Sequence, residues 1–203
     1  MRIAFIGMSN IGKSFWSKRV AAETGSVRID CDKLIEKKLA PQLAQENHRG
    51  LRGVAKWMGF PFDPSYAHNS QCYKEYEQQV MRETLDRLRL NNDPRLVIDT
   101  TGSVIYAGTD ILAELRTATR IIYLEASEEH IKALFKRYNA HPKPVIWQDF
   151  YQPEAGETSR QALKRCYPEL LRDRAERYRA LAHVTIPFEQ HTDSNATVSG
   201  LIG

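Results

Sequence analysis

The first fourteen residues constrain the fold more than any other part of the chain. Residues 3–6 form a short apolar run, which leads directly into a segment that starts at Gly7 and ends at Lys13-Ser14 with the pattern GxxxxGK[ST]. Glycines let the backbone wrap so that successive N–H groups converge on phosphate oxygens, and the following helix adds its positive N-terminus. The pattern therefore predicts a phosphate-binding loop between a buried strand and a helix.

Each residue type in this loop has an expected task. Lys13 is predicted to reach the β- and γ-phosphates of a nucleoside triphosphate and to act in catalysis, while Ser14 offers its hydroxyl to Mg²⁺. The other predicted nucleotide contacts in the loop are Gly7, Ser9, Asn10, Ile11, Gly12 and Phe15. The predicted cofactors are therefore ATP and Mg²⁺.

Chain length and missing motifs narrow the class of nucleotide-binding protein. A GTPase would carry the guanine-reading sequence Asn-Lys-x-Asp after a later strand, and the 203 residues contain no such sequence. A large ATPase would need a longer chain. An enzyme that phosphorylates a small molecule or a nucleotide fits the length best.

Short apolar runs alternate with longer amphipathic stretches along the chain. The pattern predicts strands at residues 3–6, 27–29, 96–98, 121–124 and 184–186. It predicts helices from about residue 13 to 25 and over residues 71–90, 127–138 and 159–180. Strands that alternate with helices in this way favour a parallel sheet covered on both faces.

The predicted fold class is α/β, of the P-loop nucleoside triphosphate hydrolase type, with a five-stranded parallel sheet, helices on both faces and a mobile lid. We expect a single kinase domain over residues 1–203, with an acceptor-binding excursion over about 33–90 and the lid over about 138–158. Within it, the Gly- and Pro-containing stretch 50–70 is predicted to be irregular, and Pro168 is predicted to interrupt the last long helix.

Composition indicates the surroundings and partners to expect. No apolar run approaches the roughly 18 residues of a membrane span, and the N-terminal apolar run is too short for a secretory signal. Three cysteines without CxxC or Cys/His spacing predict neither a disulfide framework nor a zinc site. We therefore expect a cytoplasmic protein, monomeric or weakly homo-oligomeric, that binds a small-molecule acceptor and neither membrane nor nucleic acid.

The positive charge of the chain is unevenly distributed. The whole sequence has a net charge of +4, and residues 132–143 and 160–179 contain more basic than acidic residues. This clustering predicts a local field for phosphate and carboxylate groups, not a general surface for nucleic acid.

The second and third predicted strands end in carboxylates. Asp30 and Asp32 lie two positions apart beside the predicted phosphate site, so one can order the water shell of Mg²⁺ and the other can accept a proton from an acceptor hydroxyl. The alternative for Asp32 is an N-cap of a helix over 33–40. Asp99 either contributes to the metal site through water or bonds to the Thr100-Thr101 turn.

At these positions the sequence resembles the shikimate kinase family. Asp30-x-Asp32-x-x-Ile35-Glu36 is similar to the family signature Asp-x-Asp-x-x-Ile-Glu. The resemblance implies that Asp30 supports magnesium, and that Asp32 binds the acceptor hydroxyls and acts as the catalytic base. Tyr73-Lys74-x-x-Glu77 is similar to the family's Phe-Arg-x-x-Glu, which implies that Lys74 binds the acceptor carboxylate.

Further matches to the family extend from Met1 to about residue 186, apart from an apparent insertion at 58–70. Thr101-Gly102-Ser103 takes the place of the family's triple glycine, which implies an acceptor contact at Gly102. Arg137 and Lys143-Pro144 resemble the lid, which implies that Arg137 binds nucleotide and that Lys143 has a catalytic role over the phosphates. Arg174 resembles the arginine of the C-terminal helix that binds the acceptor carboxylate.

The departures from the family pattern lie at the acceptor positions. Lys74 and Lys143 replace arginines, which keeps the charge but loses the bidentate fork that suits a carboxylate. Thr101 and Ser103 place side chains where the family has bare backbone. The acceptor is therefore left open, while the fold and the kinase chemistry are expected to carry over.

The function predicted from the sequence is ATP-dependent phosphorylation of a hydroxyl on a small, anionic metabolite. A nucleoside or nucleotide kinase is one alternative, with aromatic residues available for base stacking at Trp57, Phe60, Phe62 and Tyr66. A non-catalytic, ATP-binding regulatory protein with a decayed acceptor site is another.

Overall fold

A five-stranded parallel sheet forms the centre of the computed structural model, which describes residues 1–90, 94–140 and 143–203 without the side chains of Lys132, Arg137 and Asn139. The strands are β1 (Arg2–Ile6), β2 (Val27–Asp30), β3 (Leu96–Asp99), β4 (Arg120–Leu124) and β5 (Val184–Ile186). They lie in the order β2-β3-β1-β4-β5, and every neighbouring pair is parallel. The five predicted strands are confirmed to within one residue at each end.

Helices connect the strands and pack around the sheet. They are α1 (Lys13–Thr24), α2 (Cys31–Lys38), α3 (Ala40–Gln45), α4 (Gly50–Met58), α5 (Tyr66–Arg89), α6 (Thr109–Ala118), α7 (Glu128–Ala140), α8 (Ser159–Leu181), α9 (Phe188–Thr192) and α10 (Val198–Ile202), with a 3₁₀ turn at Val104–Tyr106. None of these helices, within the described ranges, is both long and apolar enough to span a bilayer.

The sheet is buried on both faces. Consecutive residues of a strand point to opposite faces, yet Ile3, Ala4, Phe5 and Ile6 are each at most 1% exposed. Helix α1 contacts β1, β2 and β3, whereas α6 and α8 contact β4. This double coverage confirms the predicted α/β class and explains why the strands have apolar runs instead of an alternating pattern.

The parallel arrangement brings the carboxyl ends of the strands to one edge of the sheet. Asp99 lies beside Phe5 of β1 on one side and beside Asp30 of β2 on the other. The loop that follows β1, the start of α2 and the turn that follows β3 are therefore neighbours. Ligand sites of open α/β sheets form at this edge.

Two local predictions were wrong. Helix α8 continues through the exposed Pro168, because the helix is anchored by the buried residues Tyr167 and Leu171 and the freed carbonyl can bond to water. The segment 50–70 is mostly helical, since α4 buries an apolar face and α5 begins at Tyr66.

The predicted lid lies partly outside the described residues. Helix α7 ends at Ala140, and residues 143–158 contain neither helix nor strand. Residues 141 and 142, and the side chain of Arg137, are not among those that the structure describes.

Candidate active site

The loop between β1 and α1 depends on backbone conformations that favour glycine. Gly7 and Gly12 have φ values of 141° and 110°, and Asn10 has a φ of 64°. A Cβ atom at Gly7 would lie 2.7 Å from the carbonyl oxygen of Leu124, so the chain can wrap against β4 only with glycine at this position. The sequence pattern and the loop geometry agree.

Lys13 begins α1 and folds back over this loop. It is 7% exposed, and its Nζ donates hydrogen bonds to the carbonyl oxygens of Gly7 at 2.8 Å and Met8 at 3.0 Å. Burial lowers the pKa of Lys13, and the carboxylates of Asp99 and Asp32 oppose this shift. The ammonium group is thus held beside the loop by weak neutral acceptors.

A cleft of about 650 Å³ lies in front of the loop. Its lining includes the predicted site residues Ser9, Asn10, Gly12, Lys13, Ser14, Asp32, Gly102 and Lys143. It also includes Leu51, Arg52, Tyr73, Ser103 and Pro144. The cleft therefore joins the phosphate loop, the start of α2, the turn after β3 and the segment that begins at residue 143.

Asp30, and not Asp32, is the N-cap of α2. Its Oδ1 accepts a hydrogen bond from the backbone N–H of Lys33 at 3.1 Å, because the helix begins at Cys31 instead of residue 33. The alternative role predicted for Asp32 as an N-cap is therefore wrong. Asp32 lies in the first turn of α2, and its side chain is free to face the cleft.

Asp32 has the ionisation expected of a group that exchanges protons near neutral pH. Burial raises its pKa to about 6, with Lys13 and Lys143 lowering it and Asp99 and Asp30 raising it. The hydroxyl of Tyr73 donates to Asp32 Oδ1 over 3.5 Å.

Asp30 and Asp99 share a partner that the sequence analysis did not single out. One guanidinium nitrogen of Arg28, Nη2, donates to Asp30 Oδ2 at 2.9 Å and also to Asp99 Oδ2, while Nε donates to Ser17 Oγ at 2.8 Å. Asp99 thus pairs with Arg28 in place of the turn contact considered from the sequence. The sequence did contain a signal for this pairing, because Arg28 lies two positions before Asp30 and hence on the same face of β2.

The acceptor side of the cleft differs from the sequence-based expectation. Lys74 does not line the cleft, whereas its neighbour Tyr73 does. Successive side chains of a helix point about 100° apart, so Tyr73 cannot face the cleft from α5 together with Lys74. The arginine that lines this wall is Arg52 of α4, for which the sequence offers no distinguishing signal.

Arg174 lies behind the cleft and not on its lining. It is 3% exposed, and its guanidinium donates to the carbonyl oxygens of Gly102 at 3.2 Å and Ile146 at 2.6 Å. The hydroxyl of Tyr178 donates to the same Gly102 carbonyl. Arg174 therefore ties the turn after β3 to the segment that follows residue 143, and so fixes two walls of the cleft.

Gly102 packs directly on the phosphate loop. A Cβ atom there would lie 2.9 Å from Ser9 Oγ and 3.3 Å from the Ser9 nitrogen. Of the other predicted nucleotide contacts, Gly7 and Ile11 are buried inside the loop, and Phe15 is 60% exposed on α1, outside the cleft lining.

Thr101 and Ser103 form a buried hydroxyl network on Glu77. Both hydroxyls donate to Glu77 Oε1, the Ser103 bond being 2.6 Å long. Burial raises the pKa of Glu77 to about 7, and the two hydrogen bonds oppose the shift. Within the described part of the chain, Glu77 Oε2 has no hydrogen-bond partner.

The aromatic residues considered for base stacking contact other parts of the protein. Phe60 stacks on Phe62 with ring centroids 5.3 Å apart. The hydroxyl of Tyr66 donates to the carbonyl oxygen of Val145 and accepts from the Trp147 N–H. None of these aromatic residues lines the cleft, and the same holds for the buried Trp57.

Three of the seven basic residues in α8 form ion pairs with acidic residues. Arg165, Arg177 and Arg179 form ion pairs with Glu157, Asp173 and Glu125. None of the three lines the cleft. Of the basic residues in this segment, buried Arg174 does act on the site, since its charge lowers the pKa values of Lys13 and Glu77.

Comparisons with known proteins find likeness in structure and not in sequence. No protein-family model matches the chain, and no curated protein matches it significantly. The shikimate kinase of Acinetobacter baumannii, solved in complex with shikimate, is 19% identical over 98% of this chain and 86% of that one, with a TM-score of 0.58. Shikimate kinase from Bacteroides thetaiotaomicron is also 19% identical, over 100% of this chain and 94% of that one, with a TM-score of 0.59.

A third solved structure extends the comparison. Shikimate kinase from Aquifex aeolicus is 14% identical over 100% of this chain and 92% of that one, with a TM-score of 0.54. The likeness thus spans nearly the whole length of both proteins. The chain has the P-loop α/β fold of the shikimate kinases.

Proposed function

We propose that this protein is an ATP-dependent kinase that transfers the γ-phosphate to a hydroxyl of a small, anionic metabolite. The observation that carries the proposal is a single cleft that joins the lysine of a phosphate loop to a carboxylate with a pKa of about 6. Phosphoryl transfer needs a cationic cradle for the triphosphate and a group that takes the proton of the acceptor.

The phosphate loop fits a triphosphate. At Gly7 the backbone lies too close to the Leu124 carbonyl for any side chain, as expected for a cradle made of N–H groups. Lys13 would exchange its two carbonyl acceptors for charged phosphate oxygens, which form stronger hydrogen bonds. In the proposal Lys143, which also lines the cleft, covers the phosphates together with Arg137.

The residues present also fit Mg²⁺ bound jointly with the nucleotide. Ser14 lines the cleft beside Lys13, and Asp30 ends β2 at the same edge of the sheet. In the proposal Ser14 contacts the ion while Asp30 orders its water shell. When bound, Mg²⁺ neutralises charge on the transferring phosphoryl group. The described residues hold no cluster of three or more His, Cys, Asp or Glu that would bind a metal unaided.

Asp32 is the proposed base. It lines the cleft, and with a pKa of about 6 it is mostly ionised at neutral pH yet basic enough to accept a hydroxyl proton. Tyr73 donates to one carboxylate oxygen and leaves the other for the acceptor. The acceptor oxygen, freed of its proton, then attacks the γ-phosphorus in line.

The charge of the cleft supports an anionic acceptor. Among the described residues that line it, Lys13, Arg52 and Lys143 are cationic and Asp32 is the one carboxylate. We assign the acceptor anion to Arg52, with Arg174 holding Gly102 in place behind it. The same proposal includes a cytoplasmic location, a monomeric or weakly homo-oligomeric state, and no nucleic acid partner.

The test is a coupled assay of ADP release with ATP and Mg²⁺ against a panel of hydroxy acids, sugar acids, nucleosides and shikimate. We expect one acidic acceptor to stimulate release, and Asp32→Asn to reduce that stimulated rate by about 10²–10⁴-fold. Asp110→Asn, which alters an exposed carboxylate paired with Arg82, is the matched control and should keep the full rate.

Each rival function has its own outcome in this assay. Stimulation by nucleosides alone would favour a nucleoside kinase. ATP binding without stimulation by any acceptor would favour the regulatory protein. An Asp32→Asn enzyme that retains the full stimulated rate would contradict the assignment of the base.

A further inference from the structure

Arg28 holds an unusual position for a basic residue, because its side chain runs along the sheet to the edge where the candidate site lies. The side chain is 16% exposed and reaches two carboxylates on neighbouring strands, Asp30 of β2 and Asp99 of β3. Its Nε is bonded to Ser17 of α1, one turn after the phosphate-loop serine. The guanidinium is therefore held by side chains from β2, β3 and α1.

The two carboxylates that it joins are direct neighbours. Asp30 and Asp99 are opposite each other in the register of the parallel strands, so their backbones are about 5 Å apart. Their side chains are 19% and 4% exposed. Two partly buried carboxylates at this distance repel each other strongly unless a cation lies between them.

One nitrogen of Arg28 supplies that cation to both carboxylates. Nη2 donates to Oδ2 of Asp30 and to Oδ2 of Asp99, while Oδ1 of Asp30 accepts from the backbone of Lys33. The guanidinium thus takes the position between the carboxylates that a divalent ion would need in order to contact both. A tethered cation competes with a free one at a high effective concentration.

We propose that Arg28 is a built-in counter-cation of the Asp30–Asp99 pair, which prevents these carboxylates from binding a divalent cation by themselves. In this proposal Mg²⁺ enters the site only with a triphosphate, whose oxygens and the Ser14 hydroxyl provide its direct ligands. The inference builds on the proposed phosphate site, but it needs neither an acceptor nor catalysis.

The consequence is a carboxylate pair whose negative charge is partly compensated before nucleotide binds. Arg28 donates to Asp30 and Asp99. Burial lowers the pKa of Lys13, whereas the carboxylates of Asp99 and Asp32 raise it. Loss of Arg28 would leave two adjacent carboxylates without the cation that bonds to both. That arrangement favours oxygen-binding divalent ions.

The test measures divalent-ion binding directly, with Mn²⁺ as the probe and no nucleotide present. The signal of free Mn²⁺ in electron paramagnetic resonance reports how much of the ion is bound to the protein. We expect no saturable site below millimolar Mn²⁺ for the wild type or for Arg28→Lys, which keeps the charge. We expect Arg28→Met and Arg28→Gln each to gain one site, with affinity raised at least about tenfold.

Two further variants make the result specific. Asp99→Asn in the Arg28→Met background should abolish the gained site. The control variant Arg82→Met removes the partner of one exposed carboxylate, that of Asp110, and should gain no Mn²⁺ site. Circular dichroism and metal-free ADP binding show that each variant is folded and has an intact phosphate loop.

The outcomes separate this inference from the proposed function. A wild-type protein that binds one Mn²⁺ tightly without nucleotide would overturn it, whichever variants fold. So would folded Arg28→Met or Arg28→Gln proteins that gain no site. Failure of ADP to bind any form would instead refute the phosphate site and hence the proposed kinase.

Discussion

The wall of the cleft formed by the loop between β1 and α1, here called the backbone wall, depends on special backbone conformations. The opposite wall, proposed to bind the acceptor and here called the acceptor wall, is made of side chains from separate segments. The first is a single loop with positive φ angles at Gly7, Asn10 and Gly12. The second combines Arg52 of α4, Tyr73 of α5 and Ser103 of the turn after β3. The backbone wall is determined by a short local sequence, whereas the acceptor wall forms only when the whole chain has folded.

This difference explains why the two walls constrain function unequally. A loop of N–H groups binds phosphate whatever the rest of the ligand is, so it defines a reaction class. Side chains on helices can be exchanged without altering the sheet, so in the proposed function they select the acceptor. The likeness to shikimate kinases in fold and the departures at Lys74, Thr101 and Ser103 agree with this division.

The largest expected effect comes from the backbone wall. Lys13→Met removes the ammonium group that lies on the loop, and acceptor-stimulated ADP release should fall by about 10³-fold or more, because charge that develops on the phosphoryl group loses its cation. Steady-state kinetics with saturating ATP and acceptor measures the effect.

Lys18→Met is the control for this variant, because Lys18 is an exposed lysine on the same helix. Its rate should stay within about twofold of the wild type, as most surface substitutions have little effect. Equal losses in the two variants would mean that α1 was disturbed in general, and that Lys13 has no particular role.

Much of the fold and of the backbone wall could be predicted from the sequence, because both depend on local patterns. Each strand has an apolar run, and the loop between β1 and α1 has its glycines at fixed spacing. Pro168 was misleading because tertiary packing of α8 outweighs the loss of one exposed hydrogen bond. The helices within residues 50–70 were missed for a similar reason, since the glycines and prolines there obscured the apolar face of α4.

The acceptor wall was predicted less well, because it depends on how helices are placed and rotated. Tyr73 and Lys74 are adjacent in sequence, yet only Tyr73 lines the cleft. Arg52 lines the cleft from α4, and the sequence offers no signal for it. Arg28 could have been noticed two positions before Asp30, but its contact with Asp99 depends on the fold. Glu77 was recognised as part of a motif, but its hydroxyl partners became apparent only in the structure.

An intermediate effect, on the stability of the fold, is expected at Glu77, which accepts a hydrogen bond from Ser103 of the acceptor wall. Burial raises its pKa from 4.5 to about 7, so the folded protein holds a proton here that the unfolded chain has released. This contribution to stability is complete below pH 4.5 and is lost as the pH rises through 7. Between about pH 5 and 8 it should reduce the free energy of unfolding by about 3 kcal/mol.

Glu77→Gln tests this, because the amide cannot ionise and its oxygen can still accept from Thr101 and Ser103. Urea unfolding from pH 5 to pH 8 should show a flatter profile for this variant than for the wild type. Glu75→Gln, at a nearby exposed position on α5, should reproduce the wild-type slope. Parallel slopes in Glu77→Gln and wild type would show that Glu77 is ionised throughout and that its burial is compensated.

The smallest expected effect tests which of two cations on the acceptor side binds the acceptor anion. Arg52→Gln removes the guanidinium that lines the cleft and should raise the KM for the acidic acceptor about tenfold with little change in kcat, as expected for lost ground-state binding. Lys74→Gln, whose side chain does not line the cleft, should change KM less than twofold. The KM for ATP should be unchanged in both. A reversed order would mean that the acceptor anion lies at Lys74, as the resemblance to the shikimate kinases implies, and that α5 turns toward the cleft when the acceptor binds.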